Sequence, residues 1–155
     1  MRGVVLNNLT DLVQADLGDA DLRDASMIDT VLCEATLSRA SLRGAVLEFA
    51  DLRGAALDEA YLRDANLGGS DMLHAKLNKG DLRGAILSDA DCRRADLSGA
   101  KLTGATLHGT DLSYANLRGA DLRNAYLQNV QLHSANLANS RFSEGQKEAL
   151  AATSN

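Results

Sequence analysis

The stretch ADLGDADLRDA, residues 15–25, decides the fold, because it repeats a five-residue unit of alanine, aspartate, leucine and two variable residues. Stepping by five from Leu12 to Phe142 meets 27 positions without an insertion, and 23 of them are leucine. Alanine holds 20 of the 27 positions that lie two residues earlier, and Asp or Asn holds 13 of the positions between. Internal repetition at a fixed period is typical of a solenoid.

A period of five excludes one continuous helix or strand. Five residues advance an α-helix by about 500°, so successive leucines would be rotated by about 140° around its axis. In a strand, residues five apart point to opposite faces. The chain must therefore turn once in every unit. Within a unit, Ala15 and Leu17 share the inner side of a short extended piece, and Asp16 points outward.

The two residues after each leucine are predicted to form the turn. A type II turn needs a positive φ two residues after the leucine, and glycine or asparagine favours that conformation. Eight of the 13 glycines lie at this position, with three asparagines. The residues are Gly44, Gly54, Gly69, Gly84, Gly99, Gly104, Gly109, Gly119, Asn124, Asn129 and Asn139. This placement supports one turn per unit.

Tandem Ala-Asp/Asn-Leu-x-x units, as in residues 20–24, resemble the pentapeptide-repeat family over residues 10–142. The resemblance implies an all-β solenoid, a right-handed quadrilateral parallel β-helix in which four units make one square coil around the Leu and Ala side chains. About seven coils are then expected. We expect residues 1–9 to form an N-terminal cap, residues 10–142 the β-helix, and residues 143–155 a short α-helix and tail.

A twenty-residue register is visible in the small residues. Every hydroxyl at the alanine position except Ser140 falls in one column, formed by Thr10, Thr30, Ala50, Ser70, Ala90, Thr110 and Val130. For the ends, we expect Val4, Val5, Leu6 and Leu9 to cover the first coil. Residues 143–146 have the spacing of a capping box and predict a helix to about Ala152 that lays Leu150 over the last coil.

The composition narrows the possible functions. The chain of 155 residues has no proline, no tryptophan and a net charge of −5, which disfavours a protein that binds nucleic acid or an anionic membrane through broad positive charge. We expect a cytoplasmic protein, because the sequence has neither a membrane-spanning apolar run nor the apolar core of a signal peptide. Two cysteines are too few for a disulfide framework, so free thiols are predicted, with Cys33 outward and Cys92 inward.

Arginines one coil apart form the first candidate for partner binding. This arginine ladder consists of Arg23, Arg43, Arg63, Arg83 and Arg123. Asp21, Asp81 and Asp121 lie two residues before three of them, and Asp24 and Asp64 lie at the corner, so one interpretation is a charge-compensated stripe. The other is a docking stripe for carboxylates or phosphates, which arginine recognises through paired donors.

Outward apolar residues form the second candidate. Ile28, Val46 and Phe49 fall near Val13, Val31 and Cys33 on two adjoining sides, and Ile86 and Tyr126 extend one side. A contiguous apolar patch suggests a contact surface, although scattered exposed apolar residues are ordinary. A column of aspartates at positions 11, 51, 71, 91 and 111 could hold a hard cation, but the resemblance implies a structural role.

Catalysis has little support in the sequence. His74, His108 and His133 fall on different columns or distant coils, so they form no metal pair or nucleophile–base couple. We therefore expect no enzyme, no cofactor and no metal. The predicted function is a non-catalytic rigid scaffold for protein–protein interaction, with an unidentified protein partner. No direct nucleic-acid or membrane binding is expected, and the protein is expected to be a monomer or weak homodimer.

The resemblance also implies an alternative function. Some pentapeptide-repeat proteins, a family abundant in cyanobacteria and other bacteria, mimic B-DNA, bind DNA gyrase or related topoisomerases and modulate resistance to their inhibitors. Those members tend to use phenylalanine at the central position and to dimerise through a C-terminal module. Here Phe142 is the one central phenylalanine, and the acidic residues are spread over several sides.

Overall fold

The computed structural model describes residues 1–8 and 10–146 of the chain, which wind into a four-sided parallel β-helix. Each strand is a single bridging residue, at position 5 and then at every fifth residue from 11 to 141. Each bridging residue from Asp11 to Asp121 pairs in parallel with the residue twenty positions ahead. One coil therefore takes four units, as the register of hydroxyl residues predicted.

A type II turn separates consecutive units. The amide of Ala15 donates to the carbonyl of Leu12 at 3.0 Å, and the same bond recurs along the chain. The residue two after the central one has a positive φ in all 26 units from Gln14 to Asn139, and 18 of these residues are not glycine. Stacking between coils therefore holds the backbone of residues with bulky side chains, such as Phe49, in a conformation that glycine adopts more readily.

The preference for Asp or Asn before the central residue has a direct physical cause. The amide two residues further on lies in the turn and donates to no backbone carbonyl. All 13 Asp and Asn side chains at the bridging position accept a hydrogen bond from that amide, as Asp11 does from Val13 at 3.0 Å. Each of these side chains therefore pairs a backbone N–H group that the hydrogen bonds between coils leave unpaired.

The core is a column of central and small residues inside the coils. Central residues from Leu17 to Leu122 are buried, and Met27, Met72 and Cys92 replace leucine without breaking the column. The inward hydroxyls also find partners: Ser70 donates to the carbonyl of Leu67 at 2.7 Å, and Thr110 donates to Leu87 at 2.7 Å. In the described part of the chain, every buried side-chain nitrogen or oxygen has a hydrogen-bond partner.

The N-terminal residues continue the ladder with one residue inserted. Val5 pairs with Ser26, a separation of 21 residues where the rest of the chain has 20. Val4 and Leu6 pack against the core, as predicted, but Val5 is 69% exposed. The prediction that Val5 covers the first coil is wrong, because Val5 occupies an outward bridging position. Leu9 lies outside the described residues.

The C-terminal segment begins a helix at Glu144, and residues 144–146 are helical. The amide of Ser143 donates to Gln146 Oε1 at 2.7 Å, which is one half of the predicted capping box. Gln146 Nε2 donates to the carbonyls of Leu122 and Ala125, so this side chain covers part of the last coil's edge. The predicted extension to Ala152, with Leu150, lies outside the described residues.

The handedness, the number of coils, the completeness of the C-terminal cap and the domain boundaries stay predictions. Among the described residues, no helix has the length and apolar character needed to cross a membrane.

Candidate functional site

The four sides of the coil are called faces 1 to 4, in chain order, and each is defined by its bridging column. Face 1 runs from Asp11 to Gln131, face 2 from Asp16 to Asn136, face 3 from Asp21 to Arg141, and face 4 from Ser26 to Tyr126. Outward side chains one coil apart are spaced by about 4.8 Å, the distance between neighbouring strands. Each face is therefore a ladder of side chains held at a fixed separation.

Three members of the arginine ladder on face 3 are neutralised from within their own unit. Arg83 donates to both carboxylate oxygens of Asp81, at 2.7 and 2.5 Å. Arg23 and Arg123 make the same two-pronged pair with Asp21 and Asp121. These hydrogen bonds hold the pKa of each carboxyl group below its usual value. The charge-compensated interpretation therefore describes these three arginines.

The same pairing occurs on face 1, where the sequence interpretation concentrated on the aspartates alone. Arg53 binds Asp51 at 2.8 and 2.6 Å, and Arg93 binds Asp91 in the same way. All five Asp-x-Arg units of the chain form this pair, because residues two apart in an extended segment point to the same side. The spacing that predicted compensation on face 3 therefore applies equally to Arg53 and Arg93 on face 1.

Arg43 and Arg63 differ from the other members of the ladder. Ser41 and Tyr61 replace aspartate at their bridging positions, so no carboxylate lies two residues before either arginine. Arg63 approaches only its neighbour Asp64, at 3.5 Å, and Arg43 forms no ion pair within the described residues. Both side chains are exposed. Two adjacent coils of face 3 thus present guanidinium groups with little local compensation.

The predicted apolar patch lies mainly on face 4. Ile28 and Val46 are half-buried, whereas Phe49 is 63% exposed at the corner between faces 4 and 1. A shallow cleft of about 340 Å³ lies beside Phe49 and extends to Ile86, one of the residues that continue the patch. Tyr126 lies on the same face near the other end of the ladder and is also exposed.

An exposed stack at the border of faces 1 and 2 was not singled out in the sequence. The guanidinium carbon of Arg94 lies 5.4 Å from the centre of the Tyr114 ring, and Tyr114 meets the ring of His133 edge-on. Residues 94 and 114 share a column one coil apart, which is the signal that could have found this contact. The arrangement brings His133 together with an aromatic side chain.

The two cysteines are free thiols in different environments. Cys92 is buried in the core, and burial raises the pKa of its thiol. Cys33 is half-buried on face 1, where partial burial, with the nearby Asp51, also raises its thiol pKa. In residues 1–8 and 10–146, no group of three or more His, Cys, Asp or Glu side chains is arranged to hold a metal ion.

Comparison with known structures finds proteins that match most of this chain over most of their own length. Rfr23, a pentapeptide repeat protein from the cyanobacterium Cyanothece 51142, is 24% identical over 91% of this chain and 89% of its own, with a TM-score of 0.45. HetL from Nostoc sp. strain PCC 7120, described as involved in heterocyst differentiation regulation, is 28% identical over 90% and 87%, with a TM-score of 0.29.

A trypsin-treated variant of QnrB1, a plasmid-mediated fluoroquinolone resistance protein, is 18% identical over 97% of this chain and 96% of its own, with a TM-score of 0.42. No curated protein matched the sequence. The family model for pentapeptide repeats matches in eight copies, over residues 10–48, 50–89, 80–113, 90–129 and 105–143. The chain therefore belongs to the pentapeptide repeat family.

Proposed function

We propose that this protein is a non-catalytic, rigid scaffold that binds another protein through its outer faces. The observation that carries the proposal is the pair of exposed guanidinium groups at Arg43 and Arg63. The other members of the ladder, Arg23, Arg83 and Arg123, are each neutralised by an aspartate of the same unit. Arg43 and Arg63 lack this two-pronged pair, and Arg63 has only the longer contact with Asp64 at 3.5 Å.

The geometry of this pair favours an acidic partner. Two guanidinium groups about 5 Å apart repel each other by roughly 0.8 kcal/mol in water before salt screening. A carboxylate bound between them would relieve the repulsion and accept paired N–H donors from either side. Because the coil stack fixes the distance between the backbones of Arg43 and Arg63, binding loses less conformational entropy than it would on a flexible loop.

We propose an acidic protein segment as the occupant of this site. Glutamates four residues apart on a helix lie about 5–6 Å from each other, which is close to the spacing of adjacent coils. Such a segment could engage Arg43 and Arg63 together. The protein would then act as a rigid platform that holds its partner in a fixed position and catalyses no reaction.

The alternative function, a DNA mimic that binds DNA gyrase, has less support. A mimic of B-DNA needs carboxylates along its length that remain available to a basic partner. Asp21, Asp51, Asp81, Asp91 and Asp121 are instead tied to arginines of their own units. Inhibition of gyrase supercoiling by a stoichiometric amount of this protein would favour the alternative.

The scaffold proposal is tested with a double variant and a matched control. The probe is a fluorescent helical peptide with glutamates four residues apart, alongside capture of partners from the native cell. Arg43→Ala/Arg63→Ala is expected to weaken peptide binding about tenfold, which corresponds to about 1.4 kcal/mol.

The control is Arg83→Ala/Arg123→Ala, which lowers the net charge by the same two units but removes arginines that already have carboxylate partners. It is expected to bind the peptide nearly as well as the unmodified protein. Equal binding by the unmodified protein and Arg43→Ala/Arg63→Ala would overturn the proposal, as would equal losses in the two double variants.

A further inference from the structure

The cleft on face 4 combines an apolar surface with acidic groups. It is a shallow depression of about 340 Å³, lined by Glu48, Phe49, Asn66, Gly68, Gly69, Ile86, Ser88 and Asp89. These residues come from three successive coils, so the ladder fixes their relative positions. The cleft lies on a different face from Arg43 and Arg63, and its charged residues have the opposite sign.

The apolar part of the cleft depends on a close approach between an aromatic ring and a glycine. The ring of Phe49 lies over Gly69 so closely that a Cβ at residue 69 would come within 2.5 Å of it. Phe49 remains 63% exposed, and Ile86 is 41% exposed. An aromatic ring and a branched aliphatic side chain thus face solvent across two glycines. Covering this surface with another apolar group lowers the free energy.

The acidic part is formed by Glu48 and Asp89, which lie two coils apart, and Asp89 Oδ1 lies over Gly109 of the following coil. Neither carboxylate forms an ion pair within the described residues, in contrast to the Asp-x-Arg units of faces 1 and 3. Asp29 is the remaining acidic residue at the outward positions of face 4, and the described outward positions of this face include neither lysine nor arginine. The local field at the cleft is therefore negative.

We infer that this cleft binds a protein segment that presents a lysine or arginine between apolar side chains. The aliphatic stem of such a residue packs on Ile86 and Phe49, and its cationic head pairs with one of the two carboxylates, while the other adds to the negative field. The exposed face of the Phe49 ring adds a cation–π contact. The flanking apolar side chains cover the remaining surface of the ring.

Other occupants fit the cleft less well. A purely apolar segment would cover Glu48 and Asp89 without pairing them, and desolvating an unpaired carboxylate is costly. An acidic segment or a nucleic acid would be repelled by the same carboxylates. This inference does not depend on the proposed site at Arg43 and Arg63, because the two surfaces differ in face, charge and expected partner.

The test uses short peptide probes and nuclear magnetic resonance of the ¹⁵N-labelled full chain. The probe is acetyl-Leu-Arg-Leu-amide, and the controls replace its arginine with alanine or glutamate. The arginine peptide is expected to shift the amide signals of Gly68, Gly69, Ile86 and Ser88 in a saturable manner, with both control peptides at least about fivefold weaker. Equal shifts with the alanine peptide, or no shift at these amides, would overturn the inference.

Two pairs of variants locate the effect. Glu48→Gln/Asp89→Asn keeps the shapes of the side chains and is expected to weaken binding of the arginine peptide at least about fivefold. Its control is Asp29→Asn, on the same face but outside the cleft, which is expected to leave binding unchanged. Phe49→Ser is expected to weaken binding, whereas Tyr126→Ser removes an exposed aromatic residue of the same face without effect. Equal losses within either pair would contradict a site at this cleft.

Discussion

Asp51 illustrates what one residue contributes in this fold. Its carboxylate accepts a hydrogen bond from the amide of Arg53 at 3.2 Å and binds the side chain of the same arginine at 2.8 and 2.6 Å. The aspartate therefore both completes the turn and neutralises an outward charge. The hydrogen bonds from Arg53, foremost among the causes, lower the pKa of Asp51 to about 2.

This pKa predicts a pH dependence of stability. A carboxyl group whose pKa is lower in the folded state stabilises the protein above its unfolded pKa, near 3.9, and this contribution is lost as the pH falls toward the folded value. Arg53→Gln is therefore expected to lower the urea midpoint at pH 6 and to have little effect at pH 2. It should also move the carboxyl titration of Asp51, followed by nuclear magnetic resonance, toward 3.9.

The control is Arg43→Gln, because Arg43 has no ion pair within the described residues. Its urea midpoint should follow that of the unmodified protein across the whole range from pH 6 to pH 2. An unchanged Asp51 titration in Arg53→Gln would show that the arginine does not hold the carboxylate.

In the turns, the free-energy cost of the backbone conformation can be separated from the cost of side-chain packing. Gly69 and Gly119 occupy the same position of their units, with φ of 63° and 70°. A Cβ at Gly119 would meet no atom within 4 Å, whereas one at Gly69 would meet the ring of Phe49. The pair therefore distinguishes the cost of the backbone conformation from the cost of the close approach.

We expect Gly119→Ala to destabilise the protein by about 1 kcal/mol, the cost of a positive φ in a residue with a Cβ. Gly69→Ala should cost more, because it also displaces the ring of Phe49. In a Phe49→Ser background the two glycine substitutions should cost the same. A double-mutant cycle by urea denaturation measures this coupling, and equal costs for the two substitutions with Phe49 present would contradict it.

At the scale of the whole molecule, burial is uneven along the stack of coils. Leu82, in the middle, is fully buried, whereas Leu132, in the last described coil, is only half-buried. In a solenoid each coil contacts only its neighbours, so the stability of a coil depends on whether it has one on both sides.

Leu82→Ala is expected to destabilise the protein by about 2–5 kcal/mol, because it removes apolar contacts and leaves a cavity between two coils. Leu132→Ala should cost less than half as much, because its side chain is partly in water before substitution. Urea denaturation followed by circular dichroism measures both variants. Equal costs would contradict the uneven burial.

The sequence by itself determined the repeat unit, the turn in each unit and the twenty-residue register. Local chemistry is sufficient for these features, because residues two apart share a side of an extended segment and a turn every five residues keeps the leucines inside. The outward position of Phe49 and the inward position of Cys92 follow from the same phase. Val5 was misassigned because residues 1–8 lie outside the uninterrupted period.

The tertiary structure decided which outward charges are available. Asp81 before Arg83, and Ser41 at the same place before Arg43, already suggest a difference in the sequence. The side-chain geometry establishes it, with Asp81 bound to Arg83 at 2.5 Å and no ion pair at Arg43 within the described residues. The cleft at Phe49 likewise depends on Gly69 and Ile86 from neighbouring coils. Contacts between coils join residues about twenty positions apart, so their geometry depends on how the coils stack.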